Sequence, residues 1–433
     1  MIQSLFLLSP LGEVLIEKHY RSVTPRSVCD AFWSEVNKYE SKLDVPPVII
    51  TGSHYIFSIL RGDMWLVAML SAETSTLLVF EFLHRVADIF VEYFGELDEL
   101  VVKDNFATIY QLLEEMMDFG YPLTTEPNAL RSMIEPPTVI SRLTAATTGK
   151  SGVSDVLPTG TISNMPWRKT DVKYSQNEIY VDIIEEVDTI LDRNGKIVSS
   201  EVSGTIVSNC RLSGVPDLAL TFADPSVVDD CSFHPCVRYN RFERDKVVSF
   251  VPPDGHFELM RYRPNISGRT IVPPLFCQPQ VSMESGGGHQ AHVSVTIGVR
   301  SDTSLVIPNR TMGSPLVVED VVVHIPFSKS VRTVNLVATA GTVLYDEVTK
   351  IAKWTVGKFG LDKRPQVSGT VLRHTPGSEA CCVLPLEIQW KLPTASVSGL
   401  AISSLQLNNE SYKPYKGMRT LSQAGKFIVR CTV

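Results

Sequence analysis

The stretch NEIYVDIIEEVD, residues 177–188, decides the fold of the larger part of this 433-residue chain. Its β-branched residues alternate with polar ones, which is the period of a half-buried strand. Alternation puts Ile179 and Val181 on one face and Tyr180 and Asp182 on the other. Outward from it, similar short runs recur at 202–207, 218–222, 293–299, 317–325 and 386–390, punctuated by Gly, Pro, Asn and Asp. Asn194-Gly195 between two apolar runs predicts a hairpin turn. From Trp167 onward helical periods vanish, and no repeat of 20–50 residues marks a solenoid or propeller. Residues 168–433 therefore read as an antiparallel, all-β, two-lobed sandwich, with a second lobe at roughly 285–395 inserted in the first.

Residues 1–140 have a different character. Phe6–Leu8 and Val14–Ile16 flank Ser9-Pro10-Leu11-Gly12 as a hairpin, and three more strand runs lie at 48–50, 55–60 and 64–70. Residues 25–39 carry apolar positions at helical spacing, with Thr24 as the expected N-cap and Pro25 at the first helical position. Val79, Phe82, Leu83, Val86, Phe90 and Tyr93 predict one long helix, and Val102, Phe106, Ile109, Leu113 and Met116 predict another. The result is an α+β domain with an antiparallel sheet of about five strands and three helices. Between the two parts, residues 141–167 are rich in Thr, Ser, Gly and Pro and read as a flexible linker with a reach of roughly 30 Å. Its Thr144, Thr147, Thr148 and Ser151 read as solvated spacers or as phosphorylation sites.

Composition narrows the function classes. With 44% hydrophobic and 20% charged residues, the chain is neither disordered nor collagenous nor a coiled coil. Eight scattered cysteines read as buried thiols in a reducing compartment. No run approaches the ~18 apolar residues of a membrane span. The apolar start at 2–8 lacks a basic n-region and reads as a first strand, not a signal peptide. Residues 1–140 hold 9 Lys/Arg against 20 Asp/Glu, net −11, and the remainder holds 31 against 27, net +4. Neither balance is that of a nucleic-acid binder.

Catalytic signals are poor. Gly149-Lys150-Ser151 lacks the earlier glycine of a phosphate loop, where Thr144 stands, and lies in the linker. No G-x-S-x-G elbow occurs. Cys231, His234 and Cys236 offer three soft ligands with no second pair, and read as buried structural residues. His289 and His292 follow three glycines, but their odd spacing on a strand sends the two rings to opposite faces. No cofactor is implied, and the chain reads as a binding protein.

Several longer stretches carry a resemblance. FEFLHRVADIF (80–90) and KDNFATIYQLLEEMMDFGYPLTTEP (103–127) resemble the longin-type domain of the clathrin-adaptor medium-subunit family. NMPWR (164–168), NEIYVDIIEEVD, SFHPCVRY (232–239), SFVPPDGHFELMRYR (249–263) and YKPYKGMRTLSQAGKFIVRC (412–431) resemble that family's mu homology domain. LPTG (157–160), LSGVPDL (212–218) and YKPYKGMR are most similar to the branch that serves adaptor complex 3.

The resemblance implies a heterotetramer with two large adaptor subunits and a small sigma subunit, peripheral on Golgi, endosomal and cytoplasmic-vesicle membranes. It implies recruitment by an Arf-type GTPase and, in several members, phosphoinositides. Transport would run toward lysosomes or vacuoles. It also implies that the β domain reads Tyr-x-x-Φ signals in cargo tails, Φ being a bulky apolar residue, with the signal extended beside the first and last strands. The family pattern places the cargo tyrosine at Tyr180, Asp182 and Arg419, and Φ at Ile179, Val181, Ile402, Leu405 and Met418. Without it, Ile179, Val181, Ile402 and Leu405 read as strand core, Asp182 as a solvated or turn-bonded carboxylate, and Arg419 as part of a basic stretch with Lys413 and Lys416. Gly417 stands where other members carry a tryptophan, and Asn209 where some carry a lysine. The remaining alternatives are a medium-type subunit of another coat and an enzyme with a cryptic β-domain site. The apolar helix faces at 79–93 and 106–117 are expected to be buried against a large subunit.

Overall fold

A computed structural model describes residues 1–39, 41–52, 54–134, 136, 165, 167–168, 172–265, 271–283, 290–300, 316–373 and 383–431. The chain divides into two units, Met1–Lys169 and Thr170–Val433.

In the first unit, β1 (Ser4–Leu8), β2 (Val14–His19), β3 (Val48–Thr51), β4 (His54–Arg61) and β5 (Met64–Leu70) form an antiparallel sheet in the order β2-β1-β5-β4-β3. All seven β5 residues are buried, so this central strand has cover on both faces. Leu5, Leu7, Leu66, Ala68 and Leu70 enter one core, while Phe6, Leu8, Trp65, Val67 and Met69 enter the other. Helix α1 (Ser27–Val36) fills the second core with Val28, Cys29, Phe32 and Val36. Helix α2 (Thr76–Phe94), which ends at Gly95 with φ 90°, lines the first.

Two local expectations change. Helix α1 begins at Ser27 with Arg26 before it, because the Thr24 hydroxyl is buried against Ser4 Oγ at 2.8 Å and caps nothing. The second helix is two, α3 (Glu99–Asp104) and α4 (Phe106–Met116). Asn105 breaks it, with φ −118° and its Nδ2 donating to the Val101 carbonyl at 2.8 Å. Phe106 is consequently turned outward, 58% exposed, while Ile109, Leu113 and Met116 stay buried. The apolar stripes of α2 and α4 pack on their own sheet and are not free for a partner; Leu77, Leu78 and Val91 of α2, Leu100 of α3 and Phe106 of α4 are the exposed large apolar residues of these helices. A short ladder of β6 (Met117–Asp118) and β7 (Tyr121–Pro122) and helix α5 (Pro127–Met133) complete the described part. The linker expected at 141–167 lies outside the described residues apart from Met165 and Trp167 at its end, as do Gly149-Lys150-Ser151, LPTG (157–160), His289, Cys381 and Cys382.

The second unit contains β8 (Glu178–Leu191), β9 (Ile197–Arg211), β10 (Asp217–Phe222), β11 (Val228–Phe233), β12 (Val248–Phe250), β13 (Gly255–Pro264), β14 (Leu275–Met283), β15 (Gln290–Val299), β16 (Val317–Pro326), β17 (Val331–Ala338), β18 (Thr342–Asp346), β19 (Ile351–Gly360), β20 (Gln366–Arg373), β21 (Leu386–Pro393), β22 (Ile402–Asn408) and β23 (Tyr415–Val429). They form a nine-stranded sheet, β11-β13-β9-β8-β23-β21-β16-β19-β18, a four-stranded sheet, β14-β15-β20-β17, and a three-stranded sheet, β12-β10-β22. One core, with Trp354, Trp390 and Phe427, gathers the four-stranded sheet and the C-terminal ends of β8 and β23. The β8–β9 hairpin turns at Asp192–Lys196, where Asp192 Oδ1 accepts the N–H groups of Asn194 and Lys196 at 2.8 Å and Gly195 takes φ 77°. A seven-residue helix, Tyr239–Asp245, has only Phe242 buried, too short a segment to reveal a period in the sequence. Within this sheet β8 and β23 are the one parallel pair among the described residues, so the first and last strands of the unit lie side by side.

Candidate functional site

Strand β8 alternates as its sequence predicts. Ile179 and Val181 have no exposed surface, and Tyr180 and Asp182 are half-buried on the other face. In the parallel ladder Gly417 lies opposite Tyr180, Met418 opposite Val181 and Arg419 opposite Asp182. Paired residues share a face. Tyr180, Asp182 and Arg419 are thereby gathered on the outer face, and Ile179, Val181 and Met418 on the inner one.

The outer face holds a cavity of about 220 Å³, lined by Tyr180, Asp182, Val207, Asn209, His256 and Arg419. Antiparallel register builds it in two rows. His256 pairs with Asn209, which pairs with Tyr180, and Glu258 pairs with Val207, which pairs with Asp182. Arg419 Nε is 3.3 Å from Asp182 Oδ1, within ion-pair range, yet that buried oxygen has no hydrogen-bond partner. An ion pair with Arg419 73% exposed contributes little by itself. The carboxylate thus keeps its accepting capacity at the cavity. The Tyr180 hydroxyl donates to Glu178 Oε2 at 3.2 Å; desolvation and that carboxylate push the phenol above its ordinary pKa. Its ring lies 5.8 Å from that of Tyr415 and covers Gly417, where a Cβ would meet Tyr180 Cδ1 at 2.4 Å.

On the inner side, Lys416 Nζ donates to the Leu405 carbonyl at 2.6 Å, tying β22 to β23. Leu405 is buried, Ile402 half-buried and Met418 47% exposed. Strand β21 pairs β23 only from Leu421 to Val429, so among the described residues no strand takes the far edge of residues 415–419. The Tyr415 N–H points toward β8, to the Asn177 carbonyl, and the Thr420 carbonyl points the other way, to the Thr394 N–H. Alternation then directs the backbone groups of Lys416 and Met418 to the unpaired edge.

Val207 and His256 were not legible as site residues, although Val207 follows from counting back along the hairpin from Asn194-Gly195. The Cys231, His234 and Cys236 group forms no metal-binding cluster among the described residues. His234 Nδ1 instead accepts the Cys236 N–H at 3.0 Å.

Comparison with known proteins adds the lineage. Residues 165–431 match the model of the adaptor complexes medium subunit family, and residues 1–136 match that of the clathrin adaptor complex small chain. The AP-3 complex subunit mu of Dictyostelium discoideum is 43% identical over 432 residues, covering 99% of this chain and all of that one. The AP-3 complex subunits mu-1 of Gallus gallus and Homo sapiens are 43% and 42% identical over 431 residues, with the same coverage. Among solved structures, a chain described as "Homology model of the full-length AP-3 complex in an intermediate open conformation" matches with a TM-score of 0.60 at 16% identity, over 99% of this chain and all of that one, which is a likeness of fold. On the match to its family model and to full-length relatives, the chain belongs to the adaptor complexes medium subunit family.

Proposed function

We propose that the chain is the medium subunit of an AP-3-type vesicle adaptor complex and that its β unit reads Tyr-x-x-Φ signals. One observation carries the signal reading. Side chains three residues apart on an extended peptide point to opposite faces and lie about 10 Å apart along it. Beside the unpaired edge of β23, Arg419 with its β8 neighbour Asp182 lies on the outer face of the sheet, and Met418 with its β8 neighbour Val181 lies on the inner face, where Lys416 also reaches the Leu405 carbonyl of β22. A peptide added to that edge lays its tyrosine in the outer cavity and its Φ side chain on the inner side. Asp182 accepts the phenol hydrogen, and Arg419 covers the ring. Ile179 and Val181 have no exposed surface in the free state, so Φ meets them by displacing Met418. Ile402 and Leu405 form the opposite wall.

Partners follow the family pattern: two large subunits and a small sigma subunit, Arf-type GTPase recruitment, and phosphoinositide-bearing cytoplasmic faces of Golgi, endosomal and vesicle membranes. The role is sorting toward lysosomes or vacuoles by binding, not catalysis. The domain reading, with residues 1–140, a linker at 141–167 and a mu homology domain at 168–433, belongs to the same proposal. Titrating the full-length chain with fluorescent Tyr-x-x-Leu, Phe-x-x-Leu and Tyr-x-x-Ala peptides tests it. Weaker binding of the second and third is expected; equal binding of all three would reject the signal reading.

A further inference from the structure

We propose that Glu185 is a positioning residue for the Φ half of the site, holding β22 in place through the loop that precedes it; the inference rests on the signal reading above. Glu185 lies on the inner face of β8, three residues beyond Asp182, with no exposed surface. Its Oε2 accepts the backbone N–H groups of Val397 at 2.7 Å and Ser398 at 3.2 Å. Its Oε1 accepts the hydroxyls of Tyr262 and Ser396, each at 2.9 Å, and of Ser398. Ser422 Oγ, on β23, lies 3.1 Å from Oε2. One buried carboxylate therefore gathers β8, β13, β23 and the 394–401 loop, using neutral donors throughout. The arrangement is satisfied only while the loop stays where it is.

The loop itself is strained. Thr394, its first residue, has φ 68°, a conformation that β-branched residues rarely adopt. Such strain persists where the surroundings over-determine it, and here the Thr394 N–H donates to the Thr420 carbonyl at 2.7 Å while Glu185 holds the residues that follow. At its other end the loop runs through buried Leu400 into Ile402 and Leu405 of β22. Among the described residues β22 has a strand neighbour on one side only, β10, so the loop and the Lys416 bond set its distance from β23. Release of the loop lets β22 drift from Met418. The outer cavity, built by β8, β9, β13 and β23, keeps its geometry.

A residue that merely supports the core would weaken both halves of the signal together; a positioning residue weakens one. The test measures two affinity ratios in the full-length chain: Tyr-x-x-Leu over Tyr-x-x-Ala, and Tyr-x-x-Leu over Phe-x-x-Leu. In Glu185→Leu, and in the double variant Ser396→Ala/Ser398→Ala, the first ratio falls from about tenfold or more to within about twofold of unity, and the second does not change. Glu185→Gln keeps an acceptor for the two loop N–H groups and restores at least half of the first ratio. If Glu185→Leu does not fold, the serine double variant decides. A first ratio unmoved in the variants, or both ratios falling in parallel, overturns the inference. Absence of both ratios in the unaltered chain rejects the signal reading and the inference with it.

Discussion

Asp182 and Arg419 stand opposite one another on two parallel strands, 3.3 Å apart from Oδ1 to Nε, and still leave that oxygen without a hydrogen bond. Paired charges usually satisfy one another. Here the guanidinium, 73% exposed, screens the carboxylate without occupying it, which suits an acceptor held ready for a donor from outside.

Replacing Asp182 removes that acceptor and leaves the sheet intact. Asp182→Ala is expected to lower affinity for a Tyr-x-x-Φ peptide by about ten- to a hundredfold, corresponding to roughly 1.5–3 kcal/mol. Calorimetry on the variant checks this, with co-purification of the other adaptor subunits unchanged. A phosphotyrosine peptide sets its phosphate against Asp182 and is expected to lose binding as well.

Signal spacing gives a second measurement. A Tyr-x-Φ or Tyr-x-x-x-Φ peptide places both side chains on one face of an extended strand. Either is expected to bind no better than Tyr-x-x-Ala, since the Φ contribution of about 1.5–3 kcal/mol is lost. Full affinity for the even-spaced peptides would contradict strand addition at β23.

Gly417 and Tyr180 are coupled. A Cβ at 417 would lie 2.4 Å from the Tyr180 ring, so Gly417→Ala forces that ring away from Tyr415. Because Tyr180 is half-buried and can move, the expected destabilisation is about 1 kcal/mol, at the low end for overpacking. Adding Tyr180→Ala should remove most of this penalty. Urea unfolding of the singles and the double forms the cycle that measures it.

Thiol chemistry separates two cysteines. Burial, reinforced by the nearby Asp30 and Glu17 carboxylates, pushes the Cys29 thiol up to about 12, while burial pushes the half-exposed Cys231 to about 11. At pH 8 both are overwhelmingly neutral thiols, and Cys29, 2% exposed, is the less accessible of the two. Both pKa values are raised, so the neutral thiols favour the folded state below pH 9, and this contribution is lost as pH rises toward 11–12. Iodoacetamide labelling at pH 8 should reach Cys231 before Cys29, with Cys29 reacting fully only in denaturant.

On the first unit, Leu100 and Phe106 are 68% and 58% exposed. Leu100→Asp/Phe106→Asp should leave the unit's thermal unfolding within about 0.5 kcal/mol of the parent, as expected for surface changes. Pull-down of the large adaptor subunits should fall severalfold. Undiminished recovery of the subunits would place their contact elsewhere.

The strands were legible because one-sided burial writes a period of two into the sequence, as in 177–188, and α2 because its stripe from Val79 to Tyr93 continues for about four turns. Phe106 was misread because a single asparagine, Asn105, resets the helical phase, and periodicity counts through such a break. In the site, alternation told which side Tyr180 and Asp182 occupy. Their companion His256 depends on the register of β13, which is shifted by a bulge between Glu258 and Met260 that no local pattern announces. Glu185 was hidden for a related reason: its donors come from residues 262, 396–398 and 422, united by topology alone.

The side-by-side placement of β8 and β23 has a consequence for synthesis. A ribosome delivers Asp182 early in the unit and Arg419 near its end, so a growing chain carries an incomplete outer cavity until β23 has been made. Contacts so distant in sequence also form late in folding. A nascent or prematurely terminated chain therefore displays Asp182 without Arg419 and without the open edge of β23. Under the proposed function, capture of cargo would await the arrival of β23.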